Sequence, residues 1–253
     1  MGGVERLESR RDFAKLGDAD WQNGRNNTLA VWAAVVDPWS AGRMRAMDAA
    51  SLKLWARKWL WYETNALPWH RARIHYEFMR RQAFVRWPVH GNVLEALRAG
   101  RLEIGPQVLF EPGVWITMPD PARIRIGGGS FLNLGVMIAA SELVEIGEHC
   151  MFANGCFVTD ASHRFDDPAL PVPWQGFTSK GPTRIGDNVW CGAHVVVTSG
   201  VTIGRRSVIG ANSVVTRDIP PYSIAAGVPA KVIGEVAYPE GTADTLPDDT
   251  VPT

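Results

Sequence analysis

At 253 residues the chain can bury a sizeable core, as one large domain or as one domain with an appendage. Its 26 basic and 26 acidic side chains cancel, which excludes a general electrostatic pull toward nucleic acid or an anionic membrane and leaves only local patches. Cys150, Cys156 and Cys191 are odd in number and lack CxxC spacing, so neither a disulfide framework nor a zinc site is supported.

The opening MGGVERLESRRDF has no apolar run behind its charges, and Leu29 to Val36 is too short to span a bilayer, so a soluble cytoplasmic protein is expected. Residues 1–100 are predicted to be a helical region rich in tryptophan: Trp21, Trp32, Trp39, Trp55, Trp59, Trp61, Trp69 and Trp87. Met44, Met47, Ser51, Trp55, Trp59 and Tyr62 recur at steps of three and four, with Leu52 widening the stripe, as on an amphipathic helix. A second helix is predicted after Pro68, with Ile74, Phe78 and Val85 on one side and Arg71, Arg73, Arg80, Arg81 and Arg86 mostly elsewhere. A third, NVLEALRAG, should end at Gly100. Basic residues outnumber acidic ones from Arg43 to Trp87, which fits either a weak membrane-surface or lipid-linked glycan contact, or a helical cap over whatever follows.

Residues 101–235 carry a period of six. From Ile104 the chain reads IGPQVL, FEPGVW, ITMPDP; from Ile126, IGGGSF, LNLGVM, IAASEL; and from Ile146, IGEHCM, FANGCF, VTDASH. It resumes at Ile185 with IGDNVW, CGAHVV, VTSGVT, then IGRRSV, IGANSV, VTRDIP. The first place is almost always Ile, Leu, Val or Phe, and the fifth mostly small or β-branched. Such a period suits short strands joined by tight turns, three to a triangular coil. The steps from Ile116 to Ile126, Ile138 to Ile146 and Val158 to Ile185 are six plus four, six plus two and six plus twenty-one, so every insertion follows a third six and should leave by one corner. The longest, loop 163–183, is expected to serve a site. Residues 236–253 form an acidic stretch with little to bury, expected to be a disordered tail.

These sixes, and above all IGDNVWCGAHVVVTSGVTIGRRSVIGANSVVTRDIPPYSIAAGVPAKVIG, resemble the hexapeptide-repeat acyltransferases, most nearly the sugar O-acetyltransferases of the maltose, galactoside and nodulation type. The resemblance covers about residues 100–235 and implies a mainly β chain: a left-handed parallel β-helix of about five triangular coils, carrying the helical amino-terminal region and the tail. It also implies a homotrimer with acetyl-CoA, or another acyl-CoA, in the groove between subunits, and a sugar or glycoside as acceptor.

By position, His163 in TDASH is where the family holds its catalytic histidine, and imidazole is suited to take the proton of an attacking hydroxyl. On the donor side the resemblance selects Ala193, Ala211, Thr216, Arg217 and Lys231; small residues admit the ligand to the backbone and cations meet its phosphates. Gly234 stands where some members have a further basic residue. Asn133 aligns with a substrate-contacting asparagine, and Trp174 in the long loop offers a face to a sugar ring. Asp160 and Asp166 are both candidates to orient the imidazole. His149 and His194, in fourth places, should be outward. No metal is implied: the HxxxxH spacing occurs only at His70 and His75, before the repeat. The leading function is direct O-acylation; N-acylation of an amino sugar and a non-enzymatic scaffold are the alternatives.

Overall fold

The computed structural model describes residues 67–237, together with isolated helical positions at 49, 50, 52, 53 and 56. Of the predicted stripe from Met44 to Tyr62 only Leu52 is described, as an exposed helical residue; its other members, the tryptophans from Trp21 to Trp61 and the acidic tail from residue 238 onward lie outside the described residues.

Parallel pairing stacks the sixes into three walls. The first wall takes Phe84–Val85, Leu109–Phe110, Phe131–Leu132, Met151–Phe152, Trp190–Cys191, Val208–Ile209 and Ser223–Gly227 in that order. The second takes Val89–Gly91, Val114–Thr117, Met137–Ala139, Phe157–Thr159, Val196–Val197 and Val214–Val215. The third takes Leu102–Ile104, Arg123–Ile126, Leu143–Ile146, Thr183–Ile185 and Thr202–Ile203. The result is a mainly β parallel solenoid of about six turns rather than five. The difference lies in Val85 to His90, which form two sides of a first coil ahead of residue 101, paired to Phe110 and to Val114 and Trp115.

First places of the sixes point inward and are buried: Ile104, Ile126, Ile146, Ile185 and Ile203 on the third wall, Phe110, Leu132, Phe152, Cys191 and Ile209 on the first, Ile116, Ile138, Val158, Val197 and Val215 on the second. Fifth places such as Val108, Val114, Cys150, Cys156, Ser207 and Ser213 are buried beside them, where a larger side chain would not fit. The fourth place makes the turn. Gln107, Gly129, His149, Asn188 and Arg206 at one corner, and Gly113, Gly135, Gly155, His194 and Asn212 at the next, all have positive φ. His149 and His194 are therefore exposed turn residues, in a conformation that His, like Asn, tolerates better than most.

All three insertions leave between the second and third walls, as the spacing predicts. The same corner carries α2 (Val93–Arg98) in the first coil. Helix α1 (Pro68–Met79) ends before Val85, which belongs to a strand. It buries Ile74 and Phe78 in the core, with the Phe78 and Phe110 rings edge to face at 5.1 Å, while Trp69, Tyr76 and Met79 stay exposed. At the far end Ala230–Glu235 folds back antiparallel on Ser223–Gly227 and covers the edge of the first wall.

The outward columns differ in kind. Phe84, Leu109, Phe131, Met151, Trp190, Val208 and Ile224 stand in register on the first wall. Trp115, Met137, Phe157, Val196 and Val214 do so on the second. Both columns are apolar, yet Phe84, Trp190 and Met151 are 60%, 51% and 45% exposed. The third wall instead carries Glu103, Arg125, Glu145 and Arg184, joined by ion pairs of 3.4, 2.9 and 2.8 Å.

Glu77 ties α1 to α2. It is 5% exposed, receives Arg80 Nε at 2.6 Å and Arg81 at 2.5 Å, and lies 3.7 Å from Arg98 of α2. Burial works to raise its pKa, but the hydrogen bonds and charges of Arg81 and Arg80 overcome this and hold the carboxyl below its ordinary value. A depressed carboxyl stabilises the fold above the unfolded-state value and ceases to do so as pH falls through the folded one. Glu77→Gln should therefore lose about 1–3 kcal/mol at neutral pH and show a smaller fall in melting temperature between pH 5 and pH 3 than the parent, measured by thermal unfolding across that range.

Candidate active site

The long insertion is an arm, not an open loop. Ala161–His163 pairs antiparallel with Phe177–Ser179, placing His163 directly opposite Phe177 and Ala161 opposite Ser179. Opposite residues in such a pair project to the same side, so the imidazole lies against the phenyl ring, with centroids 4.4 Å apart and planes inclined by 39°. Further out, the Gln175 amide accepts from Asp167 N and donates to the carbonyls of Asp167 and Leu170, closing the tip around a 3-10 turn at Val172–Trp174.

Buried polar groups fix the root. Asp160 is fully buried, and its carboxylate accepts from the backbone N–H of Ser141, Glu142 and Leu143 at 2.7, 2.7 and 2.6 Å and from Ser141 Oγ at 3.2 Å. These donors belong to the corner of the preceding coil. From the following coil, Ser199 Oγ donates to the Asp160 carbonyl and accepts from Lys180 N, holding the two ends of the arm together. Thr183 Oγ1 adds a bond to the Thr159 carbonyl at 2.9 Å. The arm is thus anchored to the coils on both sides of it.

His163 is exposed beyond this root. Neither candidate orienting carboxylate reaches it: Asp160 is committed to the corner below, and Asp166 is paired with Arg164 at 3.0 and 3.1 Å, which lowers the carboxyl and raises the guanidinium. Trp174 lies in the arm, partly exposed at 38%.

The other sequence-predicted residues divide between two corners. Asn133, Ala193 and Ala211 stand on the corner between the first and second walls, Ala193 and Ala211 in adjacent coils and Asn133 two coils before Ala193, with Asn212 N donating to the Ala193 carbonyl. Asn133 Oδ1 accepts from Leu134 N at 2.8 Å. Thr216 and Arg217 stand on the arm's own corner, past the strand that pairs with Val196–Val197. Lys231 lies on the returning strand opposite Ala226. Arg217 and Lys231 are exposed and make no ion pair among the described residues. One chain therefore brings His163 to the same corner as Thr216 and Arg217 but sets Asn133, Ala193 and Ala211 across the second wall from it. Sequence reasoning missed Phe177, Ser199 and Thr183. The first could have been found only by pairing the two ends of the insertion; Ser199 reads as an ordinary repeat position and Thr183 as the last of the insertion.

The three thiols are free and buried. Burial pushes Cys150 up to about 12 and raises Cys156 and, most strongly, Cys191. None offers a thiolate nucleophile at neutral pH.

A triangular solenoid of sixes with a rooted histidine arm at one corner defines a protein of the hexapeptide class, and a family model described as bacterial transferase hexapeptide (six repeats) matches residues 182–217. The chain is 33% identical over 233 residues to a probable acetyltransferase of Mycobacterium tuberculosis, covering 88% of this chain and 77% of that one. It is 38% identical over 137 residues to the galactoside O-acetyltransferase of Escherichia coli, covering 53% of this chain and 63% of that protein's length. Among solved structures, AntD, an N-acyltransferase from Bacillus cereus seen with coenzyme A, superposes with a TM-score of 0.51 at 19% identity over 64% of this chain and 89% of that one, a likeness of fold. The chain belongs to the hexapeptide-repeat acetyltransferases.

Asp160→Ala should destabilise the protein by about 2–4 kcal/mol, because the corner N–H groups lose their acceptor, whereas Asp166→Ala on the exposed arm should change stability by less than about 0.5 kcal/mol; denaturant unfolding compares them. A chromogenic disulfide reagent should find no reactive thiol in the native protein and three after unfolding.

Proposed function

We propose that the protein transfers an acyl group, in the first instance acetyl, from acyl-CoA directly to a hydroxyl of a sugar or glycoside, with His163 as general base. The observation that carries this reading is the arm: an exposed imidazole held on a hairpin whose root is bonded to the coils on either side. An imidazole nitrogen takes the proton of the acceptor hydroxyl as the oxygen attacks the thioester carbon. The tetrahedral intermediate collapses with loss of the CoA sulfur, which receives the proton from the imidazolium, leaving an O-ester and free CoA. The relatives' names support both the acetyl donor and a galactoside-type acceptor.

In this reading the small Ala193 and Ala211 let the pantetheine lie against the coil corner, Thr216 lines its path, and Arg217 and Lys231 neutralise the nucleotide phosphates. Asn133 and Trp174 face the acceptor. Because these residues occupy different corners, the complete site is built between copies of the chain, in a closed homotrimer. The apolar outward columns of the first and second walls favour such packing, each being unlike the charged third wall. A cytoplasmic reaction, where acyl-CoA is available, is part of this reading.

Thiol release from acetyl-CoA, followed with maltose, methyl galactoside and glucosamine as acceptors, tests the reaction. Release should be acceptor-dependent, and His163→Ala should lower kcat by about 10²–10⁴-fold while leaving CoA binding intact. Undiminished turnover in that variant would remove His163 from the mechanism, and turnover with glucosamine alone would make the enzyme an N-acyltransferase.

A further inference from the structure

Resting on the reading of His163 as the base, we propose that Phe177 is its positioning residue: the phenyl ring fixes the plane of the imidazole from one side and does for this base what a hydrogen-bonded carboxylate commonly does. Two observations on the arm carry the inference.

The first is that no acid of the arm is available for the task. Asp160 is buried beneath the root with its oxygens on Ser141, Glu142 and Leu143. Asp166 is held by Arg164, and Asp167 Oδ1 accepts from Ala169 N at 2.9 Å. The imidazole contact that the arm does provide is aromatic.

The second is the placement of Phe177 itself. It is 62% exposed, so burial in the core does not account for a phenyl group at this position. It sits in register opposite His163, in a hairpin closed by the bond from Arg164 N to the Gly176 carbonyl and by the Gln175 bonds at the tip. The pairing register alone therefore brings phenyl and imidazole together. Centroids 4.4 Å apart, inclined by 39°, leave no room for the imidazole to swing through the phenyl side, which restricts the torsions by which it could leave its working orientation. When the base takes the hydroxyl proton it becomes a cation, and the electron-rich face of the phenyl ring attracts that cation more strongly than it attracts the neutral imidazole. Phe177 so acts through His163, without itself meeting the reacting atoms.

The test compares the parent with Phe177→Leu, Phe177→Tyr, Phe177→Trp and His163→Ala, measuring thiol release from acetyl-CoA with the same three acceptors, and with water as acceptor where none of them is used. Phe177→Leu should lower kcat about ten- to a hundredfold with the acetyl-CoA KM unchanged within about twofold, the pattern of a displaced catalytic group rather than a damaged binding site. Phe177→Tyr and Phe177→Trp should recover most of the loss. The His163 Cε1–H proton resonance, which the ring current of an adjacent aromatic displaces, should move in Phe177→Leu and stay close to its parent position in Phe177→Tyr. A leucine variant at the parent kcat overturns the proposal, as does a tyrosine variant as slow as the leucine one. Loss of activity in His163→Ala with Phe177→Leu unaffected refutes the positioning role alone; full activity in His163→Ala removes the reading on which it rests.

Discussion

In a parallel stack each backbone N–H of a wall strand must find a carbonyl one coil away, and this requires the sides of successive coils to match in length wherever their strands pair in register. The six-residue side, with its inward first place and its turn at the fourth, meets that demand at two corners without variation. Glycine is one solution at the fourth place. Gln107, His149, Asn188, Arg206, His194 and Asn212 are others; Gln107, His149, His194 and Asn212 carry the side chain out to solvent while the backbone turns, and Arg206 does so with its side chain buried. Length can therefore vary at the third corner alone. The chain uses that freedom four times: for α2, for two short excursions and for the arm.

A long excursion from a rigid stack would ordinarily be mobile, and the base proposed at His163 would be a poor catalyst on a mobile segment because its orientation would have to be regained at each turnover. The chemistry of the root addresses this. A buried carboxylate facing backbone donors of the coil below, and a serine hydroxyl joining both arm ends from the coil above, convert the excursion into an extension of the solenoid. Asp160 is thus structural, and its closeness in sequence to His163 reflects the need to anchor the arm where it departs.

What the sequence disclosed follows from where the period is strict. The inward isoleucine column, the single corner of departure and the position of His163 beside it can all be read by counting in sixes, since each depends on local spacing. The first coil cannot. Its six, VRWPVH, has Pro88 at the fourth place, where proline cannot take a positive φ, and the next first place is Gly91, forced by the turn into α2. With neither the usual turn residue nor an inward aliphatic, the period vanishes from the sequence although the strand pairs in register. The contact between His163 and Phe177 is hidden for another reason. Three-residue strands are too short to show alternation, and the register across thirteen intervening residues is set by Gln175 and Gly176 rather than by any apolar pattern. Roles assigned through the carboxylates Asp160 and Asp166 fail to reach the imidazole because proximity along the chain says nothing of which side of the root a side chain faces.

The same geometry makes the three walls unlike one another. A triangular prism offers three flat walls, and here two of them carry apolar columns in register while the third is neutralised by its own alternating charges. A wall that satisfies itself offers a partner little; the apolar columns do offer it a surface, exposed at Phe84, Met151 and Trp190 on the first wall and half-buried on the second. Two unlike apolar walls meeting at one corner give a heterologous contact, first wall of one copy against second wall of the next, and such a contact closes into a ring when its rotation divides the circle. In the homotrimer proposed above, such a ring would set the arm corner of one copy toward the opposite corner of its neighbour, and the split between His163 and Asn133 within one chain is what that proposed shared site requires.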